Sequence, residues 1–308
     1  MAALVIPEPI AEAIEAAYSA AQSPADYLTL RSSEIGEDCE RKLWYRLHWT
    51  IEPKRWTGRM LRLFETGHRE ELRVIDNLGR IGVQVFDEQK RINPMADGLL
   101  TGSIDGIALN VPSANKTDHL LEIKTHNDAQ WTAWRRGGVR KSHPKHFAQM
   151  QAYMSALGLK RALYCAHNKN TDELQFERIE ADNLFAIQLE SKAKRIAFNK
   201  TIPAKCSESP DFWTCKLCEF HEVCHGEGTV RKHCRTCIFS SFVRHDGGKI
   251  LCEKHNQQLG FEDQQSGCIS HLFIPALVHG QQIDADEIKN TITYRMKDGS
   301  TFVDGPHP

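Results

Sequence analysis

The sequence predicts an α/β fold with a mixed β-sheet flanked by helices, followed by a small Cys- and His-rich module. Three observations predict it. Between residues 30 and 200, stretches with apolar residues at spacings of three and four alternate with short strand-like runs, in the order helix, strands, helix, strands, helix. After Pro210 this texture gives way to segments dense in Cys and His. And 308 residues, 41% hydrophobic and 26% charged, are enough for one full core plus a smaller module. The expected division is an N-terminal helical segment over 1–29, a core domain over 30–228 and an accessory module with a C-terminal hairpin over 229–308.

The start, MAALVIPEPIAEAIEAAYSA, is acidic and lacks a basic leader region, so it reads as a short amphipathic helix of a cytoplasmic protein. No apolar run approaches the roughly 18 residues that span a membrane. Ser32-Ser33-Glu34 is a plausible cap for a helix carrying Leu43, Trp44 and Leu47. Residues 59–79 predict a second helix, with Leu61, Phe64, His68, Leu72 and Ile75 on its inward stripe. QVFDEQKRI (84–92) and LLTGSIDGIALN (99–110) predict strands joined by a turn at Asn93-Pro94, and HLLEIKT (119–125) predicts the next strand. PKHFAQMQAYMSALG is a helix with Pro144 in its first turn and Gly158 at its end. ALYCAHNK and LQFERIE pair as strands across Asn170-Thr171-Asp172, and a long helix follows over 182–200. Near the C-terminus, ITYRMKDGSTFVDG predicts a hairpin turning at Asp298-Gly299.

Net charge is −1, which gives no global signature of nucleic-acid binding. Charge is uneven, however: RRGGVRKSHPKH (135–146) holds five Lys or Arg and no acid. Such a run is either a solvated loop or, beside a site for polyanions, a phosphate-contacting one.

The chemistry-bearing pattern is GSIDG followed by LLEIKT. In a strand, residues i and i+2 share a face, so Glu122 and Lys124 emerge side by side while Leu121 and Ile123 point the other way. Asp105 lies between two glycines that permit close approach of another backbone or a ligand. Sixteen residues separate it from Glu122, enough for a turn and a neighbouring strand. Two converging carboxylates suit Mg²⁺ or Mn²⁺, and a metal there can lower the pKa of a bound water. The competing reading is a cross-strand salt bridge and a turn aspartate. An inward His68 would add an imidazole ligand and favour Mn²⁺. Gln149 and Tyr153 form an i,i+4 pair beside the stripe of Phe147, Met150, Met154 and Leu157.

His68, GSIDG, EIKT and QMQAY, in this order, resemble the RecB-type branch of the PD-(D/E)xK nucleases, over roughly residues 30 to 225. The resemblance implies a restriction-endonuclease-like core, metal-dependent phosphodiester hydrolysis, and DNA as substrate. Ile104-Asp105 stands where the superfamily has Pro-Asp, and proline is not a ligand.

Eight of the ten cysteines follow position 200, and in a cytoplasmic chain clustered Cys points to metal or redox chemistry. Cys215, Cys218 and Cys224 supply three thiolates, and a tetrahedral metal or cubane cluster needs a fourth ligand. A distant Cys39 followed by Arg, Lys and aromatics, then CxxCx5C, resembles the iron–sulfur RecB-family nucleases, which include the AddB type and nucleases of CRISPR spacer acquisition. That resemblance implies a structural 4Fe–4S cluster held by Cys39, Cys215, Cys218 and Cys224. Zinc, with Cys206 or His221 as fourth ligand, is the alternative. The second group, Cys234, Cys237, Cys252, His255, Cys268 and His271, offers six ligands for a structural Zn²⁺; the four cysteines are expected to hold it, with His255 as the rival to Cys268.

The resulting expectation is a metal-dependent DNA exonuclease of end processing or recombination, in a bacterial or phage-infected cell. Arg135, Arg136, Arg140, Lys141 and Lys145 would contact phosphates, and Trp131 and Trp134 would stack on unpaired bases. A recombinase or a single-strand-binding protein is the expected protein partner. The rivals are a catalytically inert DNA-end-binding scaffold and a CRISPR-adaptation nuclease.

Overall fold

The computed structural model describes residues 9–22, 28–53, 55–112 and 114–306. Helix α1 (Ile10–Ala20) buries none of its own side chains and lies against the start of α3 (Gly58–Arg80). A Cβ on Gly58 would meet the Glu15 backbone oxygen at 2.1 Å, so only glycine admits that approach. Between them come strand β1 (Leu30–Arg31) and helix α2 (Glu40–Leu47). Ser32–Glu34 is a single 3-10 turn, not the cap of a long helix; the helix proper begins only after Cys39. Leu43, Trp44, Tyr45 and Leu47 of α2 are buried together with Leu189, Ala193 and Ile196.

Four strands follow: β2 (Gln84–Phe86), β3 (Arg91–Met95), β4 (Leu100–Ser103) and β5 (Gly106–Leu109). Each of the two long strands expected here is broken in its middle. Asp87 and Gln89 adopt left-handed backbone between β2 and β3, and Ile104-Asp105 separates β4 from β5. Asn93 and Pro94 form no turn. They sit in β3, an edge strand with a register shift there, where the missing proline N–H costs no ladder bond.

Strand β6 (His119–His126) carries EIKT. It leads into α4 (Asp128–Ser142), whose start is closed by a capping box between Asn127 and Gln130. The basic run expected as a loop is therefore mostly helix, interrupted at Gly138 (φ 68°). Next come α5 (Pro144–Leu157), which ends at left-handed Gly158, then β7 (Arg161–Asn168), β8 (Leu174–Glu180) and α6 (Asn183–Phe198). The main sheet has the order β2-β5-β6-β7-β8, antiparallel except for the β6–β7 pair, and a smaller sheet has the order β1-β4-β3. This is the expected α/β arrangement, a mixed sheet flanked by helices. One face of β6 sends Leu121 and Ile123 against Val74 and Leu78 of α3; Leu120, on the other face, packs with Phe147, Met150 and Met154 of α5.

The rest of the chain is made of short pieces. Helices α7 (Trp213–Lys216) and α8 (His221–Cys224) precede the antiparallel sheet of β9 (Ser240–Phe242), β10 (Ile250–Cys252) and β11 (Gln257–Leu259). A second antiparallel sheet joins β12 (Gly280–Asp286), β13 (Thr291–Met296) and β14 (Thr301–Asp304), with the expected turn at Gly299. Arg235 ties this region to the core. Its guanidinium is almost wholly buried, donates to the carbonyls of Leu47 (2.7 Å) and Gly248 (2.9 Å), and stacks 3.9 Å from the Trp49 ring centroid. Among the described residues no helix is long and apolar enough to cross a membrane.

Candidate active site

The break between β4 and β5 is what exposes the acidic chemistry. Asp105 lies in it, and its Oδ2 accepts a hydrogen bond of 2.7 Å from the Ile123 backbone N–H of β6. The flanking glycines are needed, but for protein neighbours and not for a ligand. A Cβ on Gly102 would fall 2.1 Å from the Tyr153 hydroxyl, and one on Gly106 would fall 2.6 Å from Val85 Cγ1.

Glu122 and Lys124 share a face of β6 as expected, and their side chains are ion-paired. Lys124 Nζ is also 3.9 Å from Asp105 Oδ2 and donates to the Ile123 carbonyl at 3.1 Å. Burial pushes the Glu122 carboxyl upward; Lys124 opposes this, while Asp105 and Glu71 add to it. Burial alone would pull the Lys124 ammonium down, but Glu122 and then Asp105 outweigh it and hold the lysine protonated.

Gln149 and Tyr153 are both buried. Gln149 Nε2 lies 3.5 Å from both Glu122 Oε2 and the Tyr153 hydroxyl, and its own Oε1 is buried without a partner among the described residues. Burial pushes the Tyr153 hydroxyl up to about 12, so it remains a neutral donor.

His68 is not inward. Its side chain is 71% exposed, and Phe64 and Leu72 are exposed beside it. The face of α3 turned to the sheet is the one carrying Val74 and Leu78, which brings Glu71 toward Asp105 instead. His68 lies on the cleft wall and meets Glu71, with Nδ1 3.3 Å from Glu71 Oε2; Gln89 Nε2 donates to the same oxygen at 3.1 Å. Burial, with the nearby Asp105 charge, raises the Glu71 carboxyl. Glu71, a carboxylate three residues beyond His68, is the group that the inward face of α3 brings here, whereas the stripe read from the sequence points His68 inward.

A cleft of about 560 Å³ opens over these groups, lined on one side by His68, Glu71, Asp105, Gln149 and Tyr153 and on the other by residues of β1, β3 and β4. The basic run on α4 is not part of its lining. Arg140 there pairs with Asp182 at 3.1 Å, and Lys145, at the start of α5, pairs with Glu37 at 2.6 Å; Arg135, Arg136 and Lys141 are exposed. Trp131 and Trp134 do not face solvent for stacking. Both are buried against α5 and β7, and Trp134 Nε1 donates to Glu177 at 2.6 Å. Beyond Lys124, the Tyr164 hydroxyl joins His126 Nε2 (2.8 Å) to His146 Nδ1 (2.9 Å), and burial keeps both imidazoles neutral.

Nine of the ten cysteines form two gatherings, and Cys165 is buried apart from them in β7. Cys39, Cys215, Cys218 and Cys224 line one small cavity together with a fifth, Cys206, whose sulfur is 3.6 Å from that of Cys215. Arg41, Lys42 and Lys205 line the same cavity. In the second gathering, Cys237, Cys268 and Cys252 all bear on the Cys234 thiol, which burial and their charges push up to about 11. His255 Nε2 is 3.6 Å from Cys268 Sγ, whereas His271 turns inward to Thr236 at 3.5 Å. Among the described residues, no group of three or more His, Cys, Asp or Glu side chains stands in an arrangement that could hold a metal ion as it is. Lys124 is ion-paired with the Glu122 carboxylate, and burial raises the thiols of Cys39, Cys218, Cys234 and Cys237.

No family model matches the chain, and no curated protein does. Solved structures do. The chain is similar to the alkaline exonuclease LHK-Exo from Laribacter hongkongensis, at 17% identity over 56% of this chain and 87% of that one, with a TM-score of 0.39. The same exonuclease in complex with dAMP matches at 15% identity over 58% and 88%, also with a TM-score of 0.39. A structure described as SSO0001 matches at 14% identity over 71% of this chain and 98% of its own, with a TM-score of 0.41.

Proposed function

We propose that the protein is a divalent-metal-dependent DNA exonuclease acting in DNA end processing or recombination. The observation that carries this reading is the joining of Asp105, which lines an open polar cleft together with Glu71, to buried Glu122 and partly buried Lys124 directly beside it. Burying a carboxylate and an ammonium is costly, and a salt bridge of this kind is weak evidence for stability. A pair placed beside a cleft is better explained by chemistry performed there.

The donor set fits a hard cation, because three carboxylates and a glutamine amide are oxygen ligands of the kind Mg²⁺ and Mn²⁺ take. Asp105 and Glu122 would hold it, with Glu71 in the place expected for His68, and His68 would orient Glu71. Such a cation supplies a bound water of lowered pKa and neutralises charge on the phosphate. The chain's own groups do the rest. Lys124, released from Glu122, donates to the attacking water or to a phosphate oxygen. Gln149 orients Glu122, and Tyr153 braces Gln149 against β4. On α4, Arg135, Arg136, Arg140 and Lys141 would meet phosphates beyond the cleft, with Lys145 after them.

On the same reading the nuclease unit spans residues 30–228, and Cys39, Cys215, Cys218 and Cys224 hold a structural 4Fe–4S cluster. Their thiols line one cavity, and its cationic lining would offset thiolate charge. Cys234, Cys237, Cys252 and Cys268 would hold zinc in the accessory module, with His255 at hand beside Cys268. The test of the main claim is purified protein with Mn²⁺ on end-labelled single- and double-stranded DNA. Release of labelled nucleotides that stops on chelation is expected; intact label with folded, metal-supplied protein rejects it.

A further inference from the structure

We propose that the strand undergoing cleavage crosses the small β1-β4-β3 sheet, where Arg91 and Arg31 hold its phosphates. This rests on the nuclease reading and adds to it the surface that positions the substrate. The wall of the cleft opposite the carboxylates is built from this sheet, and the register fixes what it presents. Arg31 is paired with Thr101 and Arg91 with Ser103, so the two arginines flank β4 on either side. Both line the cleft that Asp105 opens into. Arg91 is exposed and has no ion pair or hydrogen bond among the described residues, whereas many of the other charges described are ion-paired.

The remaining groups of that wall are of the kind that meets phosphate and sugar. Ser33 and Ser103 are exposed, with hydroxyls that have no partner among the described residues. Hydroxyls and guanidinium groups supply most sequence-independent contacts to a nucleic-acid backbone. An arginine fork also matches a phosphate bidentately. The geometry separates two roles. Cations on the cleft wall can fix the reacting phosphate against Asp105 and Glu122, whereas Arg135 and Arg136 on α4, outside the cleft lining, can add only affinity.

Binding of a short fluorescent single strand to the full-length chain, in Ca²⁺ without cleavage and over a salt series, tests this. Arg91→Ala should weaken binding roughly tenfold and lower the slope of log affinity against log salt by about 1, the signature of one lost phosphate contact. Arg91→Lys should restore the slope but only part of the affinity, because the charge returns without the fork. In Mn²⁺, Arg91→Ala should also lower kcat, whereas Arg135→Ala/Arg136→Ala should raise KM alone. If Arg91→Ala binds and cleaves like the unmutated chain while the α4 pair weakens binding, the strand runs along α4 and the proposal fails. If the unmutated chain binds no nucleic acid, the nuclease reading fails with it.

Discussion

The acidic cleft and the cysteine cavity are built in opposite ways. Asp105, Glu122 and Lys124 come together through strand geometry: a two-residue alternation on β6 and one backbone hydrogen bond from Ile123 to Asp105. The cysteine cavity joins Cys39, at the start of α2, to thiols some 175 residues later on two four-residue helices, the turn between them and the segment before them. The first is held by strand β6 and by the hydrogen bond that ties Asp105 to it. The second joins short irregular pieces, which is where a bound group contributes stability instead of receiving it. The two should therefore respond to mutation in different currencies, activity for the cleft and stability for the cavity.

The largest effect separates them most sharply. Asp105→Ala or Glu122→Ala should each lower the cleavage rate by at least about 10², the scale of losing one preorganised electrostatic group. Thermal unfolding of either variant should show the fold retained, and iron content should be unchanged. Cleavage at the unmutated rate by folded Asp105→Ala would move the catalytic centre elsewhere.

Cys39→Ala should do the converse. Protein purified without oxygen should be brown and carry about four irons per chain, and the variant should lose them while keeping its zinc. Closing a loop of this length constrains the unfolded chain strongly, so the melting temperature should fall by several degrees. A colourless unmutated protein with two zincs would overturn the cluster; unchanged melting of an iron-free Cys39→Ala would overturn its structural role.

A smaller effect tests the residue that sequence reading passed over. Glu71→Gln keeps the shape of the side chain and its hydrogen bond to Gln89 but removes the charge next to Asp105. Activity should drop about tenfold or more at low metal and recover in part as Mn²⁺ is raised, since what is lost is affinity for the cation. His68→Gln should follow the same pattern with a smaller drop, because it acts on Glu71. A drop for His68→Gln exceeding that for Glu71→Gln would return the ligand role to the imidazole.

The comparison also shows what was legible in the sequence. The strand site was, because period-2 alternation fixes which side chains share a face without any knowledge of the partner, and EIKT needed nothing else. The helix face of α3 was not. Its apolar residues spread around the axis, with Phe64 and Leu72 left exposed and only Val74 and Leu78 sealed, so the stripe through His68 was one of two that fitted. Tryptophan misled in the other direction: Trp131 and Trp134 stand just ahead of the basic run yet face inward, because α4 uses them to cover β7. The α4 helix itself was hidden by Gly137-Gly138, which breaks its geometry at Gly138 without ending it. The convergence of Cys206 with Cys39 and Cys215 depends on how irregular segments close in space, and no local spacing encodes that.

The mildest substitution, Tyr153→Phe, sharpens the boundary between chemistry and support. The ring would stay in the core beside Met150 and Met154, so only the hydroxyl is lost from the space Gly102 leaves for it. That hydroxyl lies 3.5 Å from Gln149 Nε2, which lies equally far from Glu122 Oε2, so its influence on the carboxylate passes through one intermediary. The same hydroxyl also bonds Ser32, and each neutral hydrogen bond lost costs about 1 kcal/mol, which would let Gln149 swing from its place without uncovering Glu122. Activity should fall only a few-fold, with metal affinity and melting temperature nearly unchanged. Gln149→Ala, which removes the group touching Glu122 directly, should fall further, and the double variant should lose no more than Gln149→Ala alone, because the hydroxyl would then have nothing to orient. Additive losses in that cycle would mean that Tyr153 acts on the substrate itself, and the wall of the cleft formed by α5 would then belong to the binding surface.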